Sequence, residues 1–339
     1  MRATAILRSA SLLLFLGFLL APPTQAEEEE SAETYEIVSR PITAFRIGSP
    51  DRQFGPLEFV GGLEMTSPGR NFGSLSSFRF LTPGGHFIGV ADSGFWFFGT
   101  LRHGPDGRPA GVADFTMEPI RDPDGSLTGD KSTTDAEAIA VSGEEVTAGF
   151  EREHRLATFR LAPGRMGPAV GELDFLVPAR ELRTNRGFET IAYAPEESAL
   201  AGARIAVTER SLDGRRNVFA AILEGPLKGI FAIARHDDFD ITDGAFLPDG
   251  DLLLLERRFS LASGVAMRIR RIRADGIRPD SLADGPVLLE ADMAYQIDNM
   301  EALDVWQRAD GAVMVSLMSD DNHSILQRNL YLEFRLLEE

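Results

Sequence analysis

A short acidic phrase returns five times along this chain, each time opening an apolar run. It reads Gly-Gly-Leu-Glu at Gly61 to Glu64, Asp-Ala-Glu-Ala-Ile-Ala at Asp135 to Ala140, and Arg-Gly-Phe-Glu-Thr-Ile-Ala at Arg186 to Ala192. A weakened copy stands at Thr242 to Leu247, and a strong one at Asp298 to Leu303. With Glu64, Glu137, Glu189, Asp243 and Glu301 as markers, the intervals are 73, 52, 54 and 58 residues. A second apolar run follows each copy and ends in acid or acid-Arg: Val90-Ala91-Asp92, Gly149-Phe150-Glu151-Arg152, Val207-Thr208-Glu209-Arg210, Leu254-Leu255-Glu256-Arg257 and Leu317-Met318-Ser319-Asp320. Repeats of about 40 to 50 residues built from short strands indicate a radial β architecture, a propeller. Equivalent residues of the blades then point at one axis, so a repeated carboxylate becomes a ring of carboxylates.

Such a ring repels itself unless cations or guanidinium groups intervene. Calcium, which takes six to eight oxygen ligands, is one solution. Arg152, Arg210 and Arg257, at or beside the strand ends, are the other. The acid-Arg endings also suit ion pairs between neighbouring blades. Ser319-Asp320-Asp321-Asn322 places four oxygen-bearing side chains in a row after the apolar run Val313 to Met318. That loop and Asp298-Asn299 are the candidate metal ligands at one propeller mouth.

The first residues stand outside this pattern. Arg2 and Arg8 precede an apolar core, Leu12 to Leu20, which is followed by prolines and the small-residue end Thr24-Gln25-Ala26. This is the layout of a secretory signal cleaved after Ala26. The core is shorter than the roughly 20 apolar residues that span a bilayer, and no later stretch reaches that length. Residues 1–26 are therefore read as a signal peptide, 27–34 as an acidic disordered leader and 35–339 as one domain, in a periplasmic or secreted protein with no integral membrane segment after cleavage. Loss of Arg2 and Arg8 takes the formal charge from -18 to -20. That acidity argues against nucleic acid, whose phosphates are neutralised by Lys and Arg. Cysteine is absent, which excludes disulfides, thiolate zinc sites and iron-sulfur clusters.

From Tyr35 onward, short β-like runs alternate with turn signals such as Thr82-Pro83-Gly84-Gly85 and Pro248-Asp249-Gly250. Ala179 to Asn185 and Ala291 to Ile297 are read as helices of one or two turns, with no repeating crossover helix. His154 to Leu161 reads as a third strand. The strand near Ile42 to Ile47 is expected to complete the last blade and close the ring. Five units are countable, and a sixth has room in Phe95 to Ile120, so the expected fold is an all-β propeller of five or six blades. Nucleophile elbows, His-Glu-x-x-His and phosphate-binding Gly-rich loops are missing, so hydrolysis would rely on carboxylates and a metal.

At these residues the chain resembles the phytase-like domain family described as "esterase-like activity of phytase". The matching phrases are Asp135 to Ala140, Phe150-Glu151-Arg152-Glu153-His154-Arg155, Asn185 to Glu189, Leu255-Glu256-Arg257-Arg258-Phe259, Asp298 to Glu301, and Ser319 to Asn322 with Gln327-Arg328. They extend over about Gly61 to Leu336. The resemblance implies a secreted β-propeller-like protein. By analogy with β-propeller phytases, it also implies Ca²⁺ in an acidic mouth that holds phosphate, with basic residues gripping the other phosphates.

The expected function is an exported, calcium-assisted hydrolase of phosphate or other esters, taking a small anionic or ester substrate. Glu137, Glu189 and Glu301 are the candidate catalytic carboxylates. Arg152, Arg155, Arg210, Arg257 and Arg328 would bind the substrate, and Asp298, Asn299, Asp320, Asp321 and Asn322 would hold the metal. The alternative is a non-catalytic propeller that binds a ligand or an envelope partner, with its axial carboxylates in structural ion pairs.

Overall fold

The computed structural model describes residues 32–127, 131–178, 181–182 and 187–337. The expected signal peptide and most of the expected helix at 179–185 lie outside them. Five sheets, antiparallel but for the short edge strand Leu282–Ala283 that pairs parallel to Gly229–Ile233, arise from the hairpin pattern of the sequence, in which most strands lead through a turn into their neighbour. Their innermost strands are Leu75–Phe80, Ala136–Ser142, Phe188–Tyr193, Asp240–Phe246 and Asn299–Gln307, which define blades 1 to 5. Each inner strand packs against those of the two neighbouring blades, which closes a ring of five.

The blades are completed outward along the chain. In blade 2, Glu145–Phe150, Arg155–Ala162 and Arg165–Leu173 follow the inner strand in order. Blade 1 absorbs the long first interval. Phe95–His103 and Pro109–Pro119 are its third and fourth strands, which fixes the propeller at five blades. Glu33–Tyr35 adds an edge strand there, which reaches into the expected leader 27–34, most of which lies outside the described residues.

Closure differs from expectation in detail. Leu57–Thr66 pairs with Asn329–Leu336 to extend blade 5, and Val38–Ile42 pairs outside it. The expected closing segment Ile42 to Ile47 lies mostly beyond that strand. Its Phe45 is fully buried against Phe54, Phe59, Tyr295 and Phe334 instead. Ala291 to Ile297 forms turns and not a helix. Apolar residues of facing sheets pack between the blades; one such layer, with Leu253, Leu255, Leu303, Leu317 and Leu332, joins blades 4 and 5.

Glu64 is not on an inner strand. It lies on Leu57–Thr66, well away from the axis in blade 5, near Arg40 at 3.9 Å and Arg328 at 4.0 Å. The copy at Gly61 to Glu64 is thus not a blade-opening repeat, and the true opening of blade 1 is Leu75-Ser76-Ser77.

Candidate functional site

Every inner hairpin carries a β-bulge at one and the same position. The pairing skips Ser76 in blade 1, Glu137 in blade 2, Glu189 in blade 3, Thr242 in blade 4 and Glu301 in blade 5. A bulge sets two residues against one and re-aims the extra side chain, a device common beside functional sites. The repeated Glu of the sequence is this extra residue. Asp243, taken as the marker of blade 4, stands one position further on, and Thr242 is its true counterpart.

A second ring comes from the neighbouring strands. Where each second strand reaches the mouth stand Asp92, Glu151, Glu209, Arg257 and Asp320, opposite Ser74, Asp135, Gly187, Asp240 and Asn299. In the first three blades the same backbone bond marks the equivalence: the N–H of Asp92, Glu151 or Glu209 donates to the carbonyl of Ser74, Asp135 or Gly187 at 2.9–3.0 Å. Antiparallel pairing brings the start of one strand to the end of the next, so both acidic signals share one mouth.

The result is a cavity of about 260 Å³ lined by Asp92, Asp135, Glu137, Glu151, Arg152, Glu189, Glu209, Arg257 and Glu301. Seven carboxylates face two guanidinium groups. Arg152 Nε donates to Asp135 Oδ2 at 2.6 Å, and Arg257 Nη1 lies 2.9 Å from Glu301 Oε1. Asn299 joins the second pair, donating from Nδ2 to Glu301 Oε1 at 2.7 Å and accepting from Arg257.

Glu189 is only 8% exposed and, among the described residues, has no hydrogen bond or ion pair. Burial, then Glu137 and Glu209, hold its carboxyl well above the usual carboxylate range. Glu137 is raised likewise by burial, then by Glu151 and Asp92. Burial and Asp135 push Glu151 up to about 7, burial and Asp240 push Glu209 up to about 7, and burial raises Asp320 to about 8 beside Glu301 and Asp92.

Two triads within this set have geometry suited to a cation. Oxygens of Asp92, Asp135 and Glu137 lie within 4.8 Å of one another, as do those of Glu151, Glu189 and Glu209. An all-oxygen donor set of this kind fits a hard cation such as Ca²⁺.

Of the residues singled out from the sequence, Glu137, Glu189, Glu301, Arg152 and Arg257 meet in this cavity. Arg155 does not. It lies 3.9 Å over the Phe150 ring, donates to the Thr133 carbonyl at 2.5 Å, and lines a separate cavity with Ile120 and Asp122. Arg210 donates to Asp240 at 3.3 Å. Arg328 holds Asp298, Gln296 and the Ile297 carbonyl within 3.3 Å.

None of the five expected metal ligands lines the cavity. Asn299 is engaged by Arg257 and Glu301, and Asp298 by Arg328 and the Asn299 N–H. Asp320 accepts the Asn322 N–H at 2.8 Å, while Asp321 accepts from Asn329 Nδ2 at 2.8 Å and from the His323 N–H at 3.0 Å. Asn322 stands at φ 47° and bonds Gln327. The row of oxygens at 319–322 is therefore largely occupied in shaping its own turn.

A family model described as "Phytase-like: Esterase-like activity of phytase" matches residues 70–323. The chain belongs to that family. The match runs from just before the inner strand of blade 1 into the turn after Asp320, so it spans both acidic rings and leaves out the closing strands of blade 5. No protein of curated function matches the sequence. Among solved structures, the phytase-like chain is similar to an oxidoreductase described as a glucose dehydrogenase from Thermus thermophilus, at 14% identity and a TM-score of 0.39, covering 81% of this chain and 99% of that one. It is also similar to glutaminyl cyclase from Myxococcus xanthus, at 14% identity and a TM-score of 0.41, covering 83% and 97%.

Proposed function

We propose that this phytase-like protein is an exported hydrolase of phosphate or other esters that works at its acidic mouth with a calcium ion. One observation carries the reading. Seven carboxylates line the cavity against two arginines, and Glu189 is buried among them with no hydrogen-bond or ion-pair partner among the described residues. A buried unpaired carboxylate charge is costly, which is why burial and crowding keep protons on Glu137 and Glu189, and a bound cation would let them ionise. The family description supports ester hydrolysis as the activity class.

Asp92, Asp135 and Glu137 on one side, and Glu151, Glu189 and Glu209 on the other, would hold the ion. Bound there, calcium would neutralise the carboxylates and polarise an ester oxygen. The remaining work falls to the chain's own side chains. Arg152, with its side chain 41% exposed, is placed to reach an anionic substrate arriving from solvent. Arg257 is fixed by Glu301 and Asn299 and would orient that substrate and offset charge as it develops. The bulges hold Glu137, Glu189 and Glu301 on rigid inner strands, which suits the positioning that such chemistry requires.

The pairs Arg257–Glu301 and Arg152–Asp135 also favour a second reading, a non-catalytic propeller that binds a ligand or an envelope partner. Assay of purified protein against a panel of phosphate and carboxylate esters, with and without calcium, separates the two. Calcium-dependent turnover that is lost in Glu189→Gln supports the hydrolase, and no turnover of any ester in either condition overturns it. For export, N-terminal sequencing of secreted material should begin at or near Glu27, and an intact Met1 terminus would contradict it.

A further inference from the structure

The opposite end of the axis is chemically unlike the acidic mouth. Four residues beyond each bulge the inner strands carry Phe80, Val141, Tyr193, Phe246 and Val305, and Trp306 follows directly. These side chains line an open cup of about 600 Å³. Four of the six are aromatic, one or more from blades 1, 3, 4 and 5. The Phe80 and Trp306 rings stand edge to face with centroids 5.7 Å apart.

Among the described residues only two charged ones line this cup, Arg79 and Asp304. Both Nη groups of Arg79 are fully engaged: they donate to both oxygens of Asp243 and to the carbonyls of Phe78, Ile191, Gly244 and Leu303. Those Nη groups have no donor left for an incoming anion. Asp304 is buried, and its Oδ2 accepts the Phe80 N–H at 2.7 Å. Arg79 therefore faces two carboxylates, Asp243 and Asp304, and the floor of the cup carries one negative charge in excess. Beyond the wall, Tyr193 donates to Glu145, which Arg204 already pairs at 2.9 Å, so no compensating charge arrives from there.

We propose that this cup is a binding site for an organic monocation, an ammonium group carried on an apolar or aromatic body. Aromatic walls attract such a cation through their negative ring faces, and apolar walls desolvate its carbon skeleton. The excess carboxylate supplies the countercharge. A bare metal ion finds too few oxygens here, and an anion meets the uncompensated charge of Asp304. The site is separate from the acidic mouth, so the proposal stands or falls independently of ester hydrolysis.

The chain has two tryptophans, and Trp96 is buried, so Trp306 reports on the cup. Phenyltrimethylammonium is titrated into the full-length mature protein against 2-phenylpropan-2-ol, its uncharged analogue of similar shape, by tryptophan emission and by calorimetry. The expected result is saturable one-to-one binding of the cation, with the neutral compound at least tenfold weaker. Asp304→Asn should weaken the cation tenfold or more and leave the neutral compound unchanged. Trp306→Leu, read by calorimetry, should also weaken the cation and decides the matter if the Asp304 variant does not fold. Equal affinity for the two compounds, no saturable binding of the cation, or unchanged cation binding in both variants would overturn the proposal.

Discussion

Arg79 and Asp243, 164 residues apart in sequence, meet on the axis with Nη1 and Nη2 each 2.8 Å from a carboxylate oxygen. Asp243 also accepts the Leu303 N–H and the Ser77 hydroxyl, and Ser77 accepts the Ile139 N–H. With the Arg79 bond to the Ile191 carbonyl, this one cluster touches the inner strands of all five blades. Closing a ring leaves inner-strand polar groups facing a narrow axis without water, and this ion pair satisfies several at once. Removing one partner leaves a buried charge uncompensated, a loss of about 3–5 kcal/mol. Arg79→Met should therefore lower the urea midpoint sharply. Arg79→Met with Asp243→Leu should recover part of the loss, and a double-mutant cycle with no coupling would refute the arrangement.

The arginines divide by position, and their variants should divide in the same way. Arg257→Met and Arg152→Met should reduce ester turnover by an order of magnitude or more, since both line the acidic mouth. Arg155→Met, Arg210→Met and Arg328→Met should leave turnover within about twofold while costing up to about 1 kcal/mol of stability, as for partly exposed ion pairs. Equal losses across all five would mean that the mouth is not where substrate binds.

Calcium should stabilise the folded state, because the carboxylate triads exist only there. At about 100-fold above the dissociation constant the linkage is worth about 2.7 kcal/mol. The melting temperature should rise with calcium and fall with chelator. Glu189→Gln should reduce that span, while Glu64→Gln, on the closing strand of blade 5, should leave it intact. A melting temperature indifferent to calcium in the unmodified protein would place the ion elsewhere or nowhere.

The propeller was legible because each blade is a run of local hairpins, and hairpin signals are local in sequence. Glu137, Glu189 and Glu301 were legible for a related reason: the bulge needs the same residue in the same place, and three blades kept Glu there. The first blade kept Ser76 and the fourth Thr242, so neither announced itself. Gly61 to Glu64 imitates the phrase for another cause. A Cβ on Gly62 would stand 2.6 Å from the Tyr331 carbonyl, so that glycine serves close strand packing in blade 5. Asp92, Glu151 and Glu209 were visible as strand endings, but their union with the inner ring depends on a register shift of one residue, which no spacing records. Asp320 to Asn322 looked like ligands by composition. The structure shows Asp320 and one oxygen of Asp321 turned to the backbone of their own loop, with the other Asp321 oxygen held by Asn329.

The last prediction concerns pH and Asp304. Burial pushes its carboxyl up to about 6, with Arg79 pulling the other way, against an ordinary value of 3.8. Between those values the native protein keeps a proton that the unfolded chain has released. Stability from this group is therefore fully present below about 3.8 and is lost as pH rises through about 6. The shift corresponds to a loss on the order of 3 kcal/mol. An amide cannot ionise, so the stability of the Asp304→Asn variant relative to the parent should climb between about pH 4 and pH 7 and then level off. Urea unfolding of both proteins across that range measures it. Titration of the acidic mouth is common to both and cancels in the difference, since Asp304 bonds none of the residues that line it. A difference that stays flat with pH would show that Asp304 ionises as an exposed carboxylate does, and that the floor of the cup is wetter than its packing implies.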